Sequence, residues 1–359
     1  MRARTIALYS PQPILYPARA PPFARPPARS RAESRMTVQS NSDMLVTVFG
    51  GSGFVGRHVV RALAKRHFRI RVAVRRPELA GFLQPLGRVG QITAVQANVR
   101  HPGSVAAAVR DADIVVNLVG ILAQLGRQRF EPVHALGAET VATAASRHGA
   151  RLVHMSALGV GEASRSVYAR TKAAGENAVF GAVPDATVFR PSVVFGPEDQ
   201  LFNRFASIAR FVPALPLIGG GHTRFEPVFA GDLAAAVAAA VAGETRPGTI
   251  YEIGGPEVFT LREIMAFTLK TIQRRRLLVP IPFWLAKLEA FFLQFLPSTP
   301  LTPDQVELLR VDNVVSDSAR RERRTLQGLG IEPTSVQAIV PSYLWRFRPT
   351  GQFKALRPS

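Results

Sequence analysis

The 359-residue chain contains no cysteine, which excludes disulfides, thiolate metal sites and a cysteine nucleophile. Nothing then points to an oxidising compartment, and a reducing cytoplasm or organellar matrix is expected. Histidine is also scarce: the seven stand at 58, 67, 101, 134, 148, 154 and 222, with no HxH or HExxH pair, so no metal site is expected. No apolar run has the length and flanks of a secretory signal. Acids are few, 25 Asp and Glu against 45 Lys and Arg, for a formal net charge of +20. Such an imbalance suggests an anionic partner. No RNA-binding signature or zinc-finger spacing accompanies it, so nucleic acid is not expected and an anionic membrane surface is.

The charge is unevenly spread. Residues 1–35 carry seven arginines against the single acid Glu33, Arg274–Arg276 form a triplet, and Arg320, Arg321, Arg323 and Arg324 surround Glu322. The last group reads as a solvated face. Residues 1–43 are rich in Pro, Arg, Ala and Ser without an apolar period, and are expected to be a flexible basic extension outside the fold. Their composition suits an organellar transit peptide, but seven prolines bar a long amphipathic helix. The favoured alternative is an upstream start, with Met36 or Met44 the natural beginning.

From Met44 onward, β-branched runs alternate with alanine-rich helical stretches. Strands are expected at 45–49, 70–74, 92–97, 113–119, 151–157 and 186–192, and helices near 54–66, 103–110, 131–148 and 168–180. This alternation predicts an α/β fold, a doubly wound parallel sheet of the Rossmann type with a smaller C-terminal lobe and ligands at the strands' carboxyl ends. Residues 44–273 form the dinucleotide-binding body with interleaved substrate-lobe elements. Residues 274–345 form a helical, membrane- or partner-facing segment, and 346–359 a basic tail. The alanine-rich 231–243 reads as a helix packed closely on the sheet.

The run GGSGFVG, residues 50–56, leaves a predicted strand and opens a helix. Gly50, Gly51, Gly53 and Gly56 satisfy both GxGxxG and GxxGxxG. With Ser52, Phe54 and Val55 they form a phosphate turn, because a helix N-terminus offers free N–H groups and partial positive charge to a pyrophosphate. About 20 residues further on, an NAD site places an acid on the ribose hydroxyls, whereas an NADP site places a cation on the 2′-phosphate. Here that point carries Arg75 and Arg76, and the first acid is Glu78. The expected cofactor is NADP(H), less so NAD(H).

Ser156 ends the fifth strand, and Tyr168 and Lys172 follow at i and i+4 on one helical face. A phenol with a pKa near ~10 needs a cation beside it to act as acid or base near neutrality, which Lys172 supplies. Ser156 then bonds a substrate carbonyl or hydroxyl.

Through FGGSGFVG, NLVG (117–120), HMSALG (154–159), YARTK (168–172) and FRPSVVFGP (189–197), the sequence resembles the extended or atypical short-chain dehydrogenase/reductase family. The resemblance implies that Asn98 and Val99 lie beside the adenine and Leu118, Val119 and Gly120 along the dinucleotide. Pro191, Ser192 and Val193 would lie near the nicotinamide, with Ser156, Tyr168 and Lys172 as the catalytic triplet. In FEPVHALGAET (130–140) the position at which active members usually carry asparagine is His134, which puts turnover in question. Further on, Asp232 is expected to N-cap a helix. Residues 274–315 are similar to the atypical subfamily that contains the NADPH-binding accessory subunit of respiratory complex I and its bacterial homologues.

That segment has a physical reading too. Trp284, Leu288, Phe291 and Phe295 recur at helical spacing, but a helix over 283–296 is about 21 Å long and does not span a hydrocarbon core of about 30 Å. Three arginines before an apolar face suit an interfacial helix or a partner groove, with an ordinary lobe-core helix the even alternative. The sequence therefore suggests an NADP(H)-binding, membrane-peripheral partner of complex I subunits. Its place would be the inner face of the plasma membrane, or the mitochondrial matrix side if residues 1–43 are a transit peptide. The other readings are an active oxidoreductase, epimerase or dehydratase on a small or quinone-like substrate, and a redox-sensing regulator.

Overall fold

A computed structural model describes residues 41–293, 301–349 and 351, so most of the basic extension and tail, and Phe295, lie outside the described residues. The first half of the chain alternates strand and helix: β1 (Leu45–Phe49), α1 (Phe54–Lys65), β2 (Arg69–Val74), β3 (Ile92–Gln96), α2 (Pro102–Val109), β4 (Ile114–Asn117), α3 (Leu136–Arg147), β5 (Arg151–Met155), α4 (Val167–Ala182) and β6 (Thr187–Pro191). A 3-10 stretch, Pro77–Leu86, links β2 to β3. The expected long helix at 131–148 is divided, because a π-turn over Glu131–Ala135 precedes α3.

Beyond β6 come β7 (Val194–Phe195), α5 (Phe202–Ile208), β8 (Ala214–Ile218), β9 (Arg224–Phe225), β10 (Val228–Phe229), α6 (Ala230–Val241), β11 (Ile250–Ile253), β12 (Phe259–Thr260), α7 (Leu261–Thr271), β13 (Leu277–Ile281), α8 (Phe283–Leu293), α9 (Pro303–Leu308), α10 (Asp317–Arg321) and α11 (Val336–Leu344). Seven strands form the main sheet, in the order β11-β6-β5-β4-β1-β2-β3 with all neighbours parallel. This is the doubly wound fold, with its order reversing between β1 and β4.

Apolar side chains cover both faces of the sheet. α1 buries Val59, Val60, Leu63 and Ala64 on one stripe and packs on α6, nine of whose twelve residues are buried. The small alanines of α6 permit that close approach. On the other face α2, α3 and α4 enclose Val105, Val109, Val141 and Val179. A separate apolar cluster joins α5, α7 and α11 through Phe202, Leu269 and Val340, forming the smaller lobe. The buried Asp199 accepts a hydrogen bond from Tyr343 of α11 and fixes that helix to the lobe.

Two local expectations change. Asp232 is not the N-cap of α6: Phe229 holds that position without a side-chain bond, and Asp232 lies in the first turn. Its carboxylate accepts from the Thr334 N–H at 2.6 Å and Thr334 Oγ1 at 3.0 Å, tying α6 to the approach to α11. The arginines around Glu322 are not all solvated either. Arg320 pairs with buried Glu226 at 2.7 Å, and Arg324 donates to the Ile250 carbonyl at 2.7 Å and to Glu322 at 2.7 Å. Charge runs read from sequence carry no information about the distant carboxylates they meet.

Candidate functional site

The glycine turn leaves β1 as expected. Gly50 has φ +78°, and its N–H reaches the Ala73 carbonyl of β2 at 3.2 Å. A Cβ at Gly56 would stand 2.2 Å from the Gly50 oxygen, and one at Gly51 would stand 2.8 Å from Val72 Cγ1. Only glycine lets α1 begin this close to β1. Gly53 N-caps α1 without a side-chain bond, leaving the first-turn donors beside Ser52 open to an anion. Phe54 lies against Gly196, while Val55 packs onto the core.

Arg75 and Arg76 follow β2 beside this turn. Both are exposed, and among the described residues neither side chain forms an ion pair. After β3, Asn98 closes its own loop: its Oδ1 accepts from the Arg100 N–H at 3.1 Å and its carbonyl accepts from Ser104 Oγ at 3.1 Å. Val99 points into the core against Gly137. After β4, the Leu118 N–H bonds the Phe49 carbonyl, and the backbone of Leu118 and Val119 runs beside Gly50. The glycine turn, the paired arginines and the residues after β3 and β4 thus share the carboxyl edge of the sheet.

The second half of the site gathers around α4. Ser156, directly after β5, is buried and its Oγ has no hydrogen-bond partner, although its N–H bonds the Phe189 carbonyl at 2.7 Å. Lys172 Nζ donates to the Met155 carbonyl at 2.9 Å, and burial pushes its pKa down to about 8. Tyr168 lies four residues earlier on the same helix. Desolvation of its hydroxyl, assisted by the negative charge of Asp304, pushes the phenol up to about 12. Both causes that move the phenol here, desolvation and a carboxylate, favour its protonated form.

His134 occupies the π-turn and is wedged between rings, stacked on Phe130 at 5.4 Å and edge-on to Tyr168 at 5.2 Å. Its Nε2 accepts from the Ile121 N–H at 3.0 Å, so the ring proton sits on Nδ1, which faces Thr171 Oγ1 at 3.3 Å. Burial first, then Lys172 and His154, push its pKa down to about 3. The imidazole is thus neutral with both nitrogens engaged. His154 on β5 is likewise pushed down to about 3, by burial and then by Lys172. Asn117 Oδ1 accepts from the Val119 N–H, so its amide nitrogen faces His154 Nδ1 at 3.3 Å and the His154 proton lies on Nε2, which is buried without a partner.

Three contributors from distant sequence complete this half. Asp304, on α9, accepts from Ser166 Oγ at 2.8 Å, the Val167 N–H at 2.7 Å and the Tyr168 N–H at 3.3 Å, placing a carboxylate on the N-terminus of α4. Asn313 clamps the strand after β6: Ser192 Oγ donates to its Oδ1 at 2.8 Å, as does the Val193 N–H at 3.0 Å. Its own amide reaches the Leu158 carbonyl at 3.2 Å. Glu226 accepts from the Val315 N–H at 2.9 Å and anchors the same segment. Ser192's hydroxyl is therefore a structural tether; Pro191 is buried as well, and Val193 is half-buried. Sequence reading missed Asp304, Asn313 and Glu226, since no local motif surrounds them.

The residues present fit a dinucleotide. The glycine cradle excludes side chains where a pyrophosphate would approach, and Ser156 Oγ and His154 Nε2 are buried polar atoms awaiting a partner. Among the described residues no cluster of His, Asp or Glu has a metal-ligand arrangement.

Comparison with known proteins agrees with this geometry. The profile of the NAD dependent epimerase/dehydratase family matches residues 46–254. NADH dehydrogenase [ubiquinone] 1 alpha subcomplex subunit 9 of Arabidopsis thaliana is 34% identical over 325 residues, covering 87% of this chain and 80% of that protein. The Mus musculus protein of that name is 30% identical, covering 86% and 82%. Among solved structures, an NADPH-dependent quinone oxidoreductase from Escherichia coli superimposes with a TM-score of 0.66 at 20% identity, over 84% of this chain and 99% of that one. The dTDP-glucose 4,6-dehydratase DesIV of Streptomyces venezuelae gives 0.62 at 21% identity, over 88% and 100%. Profile, relatives and sheet order together place the chain in the NAD dependent epimerase/dehydratase family, the extended short-chain dehydrogenase/reductases.

Proposed function

We propose that this protein binds NADP(H) and serves respiratory complex I as an accessory or assembly subunit, with the dinucleotide chiefly a ligand that supports the fold. The observation that carries this reading is the reach of the likeness to the complex I subunits. The family profile ends at residue 254, yet the Arabidopsis relative covers 87% of the chain. Residues 1–254 are only about seven tenths of it, so that likeness must enter the carboxyl-terminal elements. Those elements supply Asp304 and Asn313 to the site.

The chemistry of the site supports a ligand-holding role. The phenol of Tyr168 is pushed up to about 12, and neutral His134 has both ring nitrogens engaged, so neither of these two groups readily exchanges a proton near neutrality. A dinucleotide that binds only the folded chain stabilises it by mass action. NADP(H) is favoured over NAD(H) by Arg75 and Arg76, which stand exposed beside the phosphate turn with no acid until Glu78. Gly50–Gly56, Leu118–Gly120, Tyr168 and Lys172 would hold the remainder, with Asn98 and Val99 beside the adenine and Pro191–Val193 beside the nicotinamide.

The protein would work at the membrane surface, cytoplasmic or on the matrix side, in contact with complex I subunits. Among the described residues no helix is long and apolar enough to cross a membrane, and α8 presents Trp284, Leu288 and Phe292 at 68%, 51% and 65% exposure. The expected basic anchor before it is reduced, because Arg274 bonds the Phe347 carbonyl and Arg276 the Ala209 carbonyl. One observation favours a second reading, an active oxidoreductase on a small or quinone-like substrate: the buried Ser156 Oγ has no protein partner and would be free to bond a substrate oxygen. Native isolation from membranes, with the copurifying subunits and bound nucleotide identified by mass, tests the proposal. Recovery of complex I subunits with NADP(H) is expected; a free protein that turns over quinones would replace it with the second reading.

A further inference from the structure

Outboard of Tyr168 lies a cavity of about 470 Å³ that the cofactor reading does not use, within the range of ligand sites. It is walled by the 124–130 loop, the start of α4, and α8 and α9. Its apolar lining is Leu125, Phe130, Val167 and Pro303, and Phe130 meets the Tyr168 ring edge-on at 5.7 Å. An adjoining space of about 180 Å³ shares Gln124, Leu125 and Gly126 and adds Arg129.

The charges of this wall do not cancel. Asp304 is committed to the N-terminus of α4 through three hydrogen bonds. Glu307 is paired with Lys287 at 2.9 Å and Arg310 at 3.1 Å. Arg129 and Arg165 are exposed at the rim, and among the described residues their guanidinium groups make no ion pair or hydrogen bond. Arg165 also acts on Glu307, whose pKa is lowered by Lys287, Arg310 and Arg165 together, so four cations meet two carboxylates here and the rim keeps a net positive charge. Lys287, which lines the cavity, lies on the same stripe of α8 as Trp284 and Phe291 at i−3 and i+4, so the wall continues into the exposed apolar face of that helix. Leu122 and Leu125, 54% and 69% exposed, extend the apolar rim on the loop side.

We infer that this cavity binds an anionic membrane lipid, its phosphate at Arg129 and Arg165 and its acyl chain along Leu125, Phe130, Val167 and Pro303. Guanidinium groups bond phosphate oxygens in pairs, and the apolar lining removes methylenes from water. A zwitterionic lipid brings its own cation to the same rim and gains less. The inference rests on the membrane placement above only for the source of the lipid; the binding itself needs no membrane.

The test titrates the full chain, loaded with NADPH, with monomeric dihexanoyl phosphatidylglycerol and separately with dihexanoyl phosphatidylcholine, following melting temperature and intrinsic fluorescence. The phosphatidylglycerol is expected to bind more tightly, and Arg129→Gln with Arg165→Gln to weaken it by about fivefold per arginine. Leu125→Trp, which fills the hollow, should abolish binding, while NADPH affinity reports that each variant is folded. Equal affinity for the two lipids, indifference to the arginine variants, or no binding of either lipid would each overturn the inference. Flotation with phosphatidylglycerol vesicles separates the two claims: vesicle binding without binding of the soluble lipid leaves the α8 surface standing and removes the cavity site.

Discussion

The two halves of the site are built in opposite ways. The half around the glycine turn comes from four adjacent strands and the turns directly after them, so Gly50–Gly56, Arg75 and Arg76 are close in sequence as well as in space. The half around Tyr168 is assembled from α4, the 121–134 segment, Glu226 and two carboxyl-terminal residues, with Asp304 meeting Val167 across 137 positions. The first half rests on local backbone geometry, whereas in the second burial and neighbouring charges, one of them from distant sequence, shift the titration of Tyr168 and Lys172.

The largest expected effect breaks the first half alone. Gly56→Ala would put a Cβ 2.2 Å from the Gly50 oxygen, a clash with backbone that α1 cannot relieve without moving off β1. A loss of about 3 kcal/mol in denaturant unfolding is expected, with NADPH binding abolished. Wild-type binding in this variant would show that the turn is not the phosphate site.

Removing Arg75 and Arg76 together to alanine should come next. Each charge-assisted contact is worth about 1.5–3 kcal/mol, so NADPH should bind roughly 10- to 100-fold more weakly for each arginine removed while NADH is unchanged. Calorimetric titration of both nucleotides decides it, and an equal wild-type affinity for the two would end the NADP(H) assignment.

On the other half, Asp304→Ala removes the acceptor from three donors at the start of α4 and should cost about 1–2 kcal/mol. It should also lower the phenol's pKa, because Asp304 is one of the two causes raising it. Spectrophotometric titration of tyrosine ionisation measures this directly; an unmoved titration would mean that Asp304 does not control Tyr168.

A smaller effect concerns pH. His134 and His154 hold folded pKa values of about 3 against an unfolded value of 6.5, so the unfolded chain takes up protons first as the pH falls. Stability is therefore expected to be present above about pH 6.5 and to decline below it, on the order of 1 kcal/mol per histidine by pH 5.5. His134→Asn should remove its share of that acid decline. Melting curves at pH 7.5 and 5.5 would contradict the burial argument if wild type and variant fell equally.

The smallest expected effect is Tyr168→Phe, whose ring still packs on Phe130 and His134. NADPH affinity should stay within about twofold, whereas Lys172→Ala should weaken it several-fold by removing a ribose contact. A large loss of nucleotide in Tyr168→Phe would mean that its hydroxyl holds the cofactor.

The sequence alone determined the order of the first six strands and the helices between them, the glycine turn and the Ser156, Tyr168 and Lys172 spacing, because periodicity, backbone freedom and an i, i+4 pair are local properties. Tertiary structure decided the rest. Asp232 has the composition of a helix cap, but a partner 102 positions away gave it another use. Arg320 and Arg324 looked like a solvated run until folding brought Glu226 and the Ile250 carbonyl to them. The proton on Tyr168 is held by burial and by a carboxylate from α9, and neither can be seen from the YARTK motif. Electrostatic environment depends on what the chain brings together across long separations, and that is the quantity a local pattern does not contain.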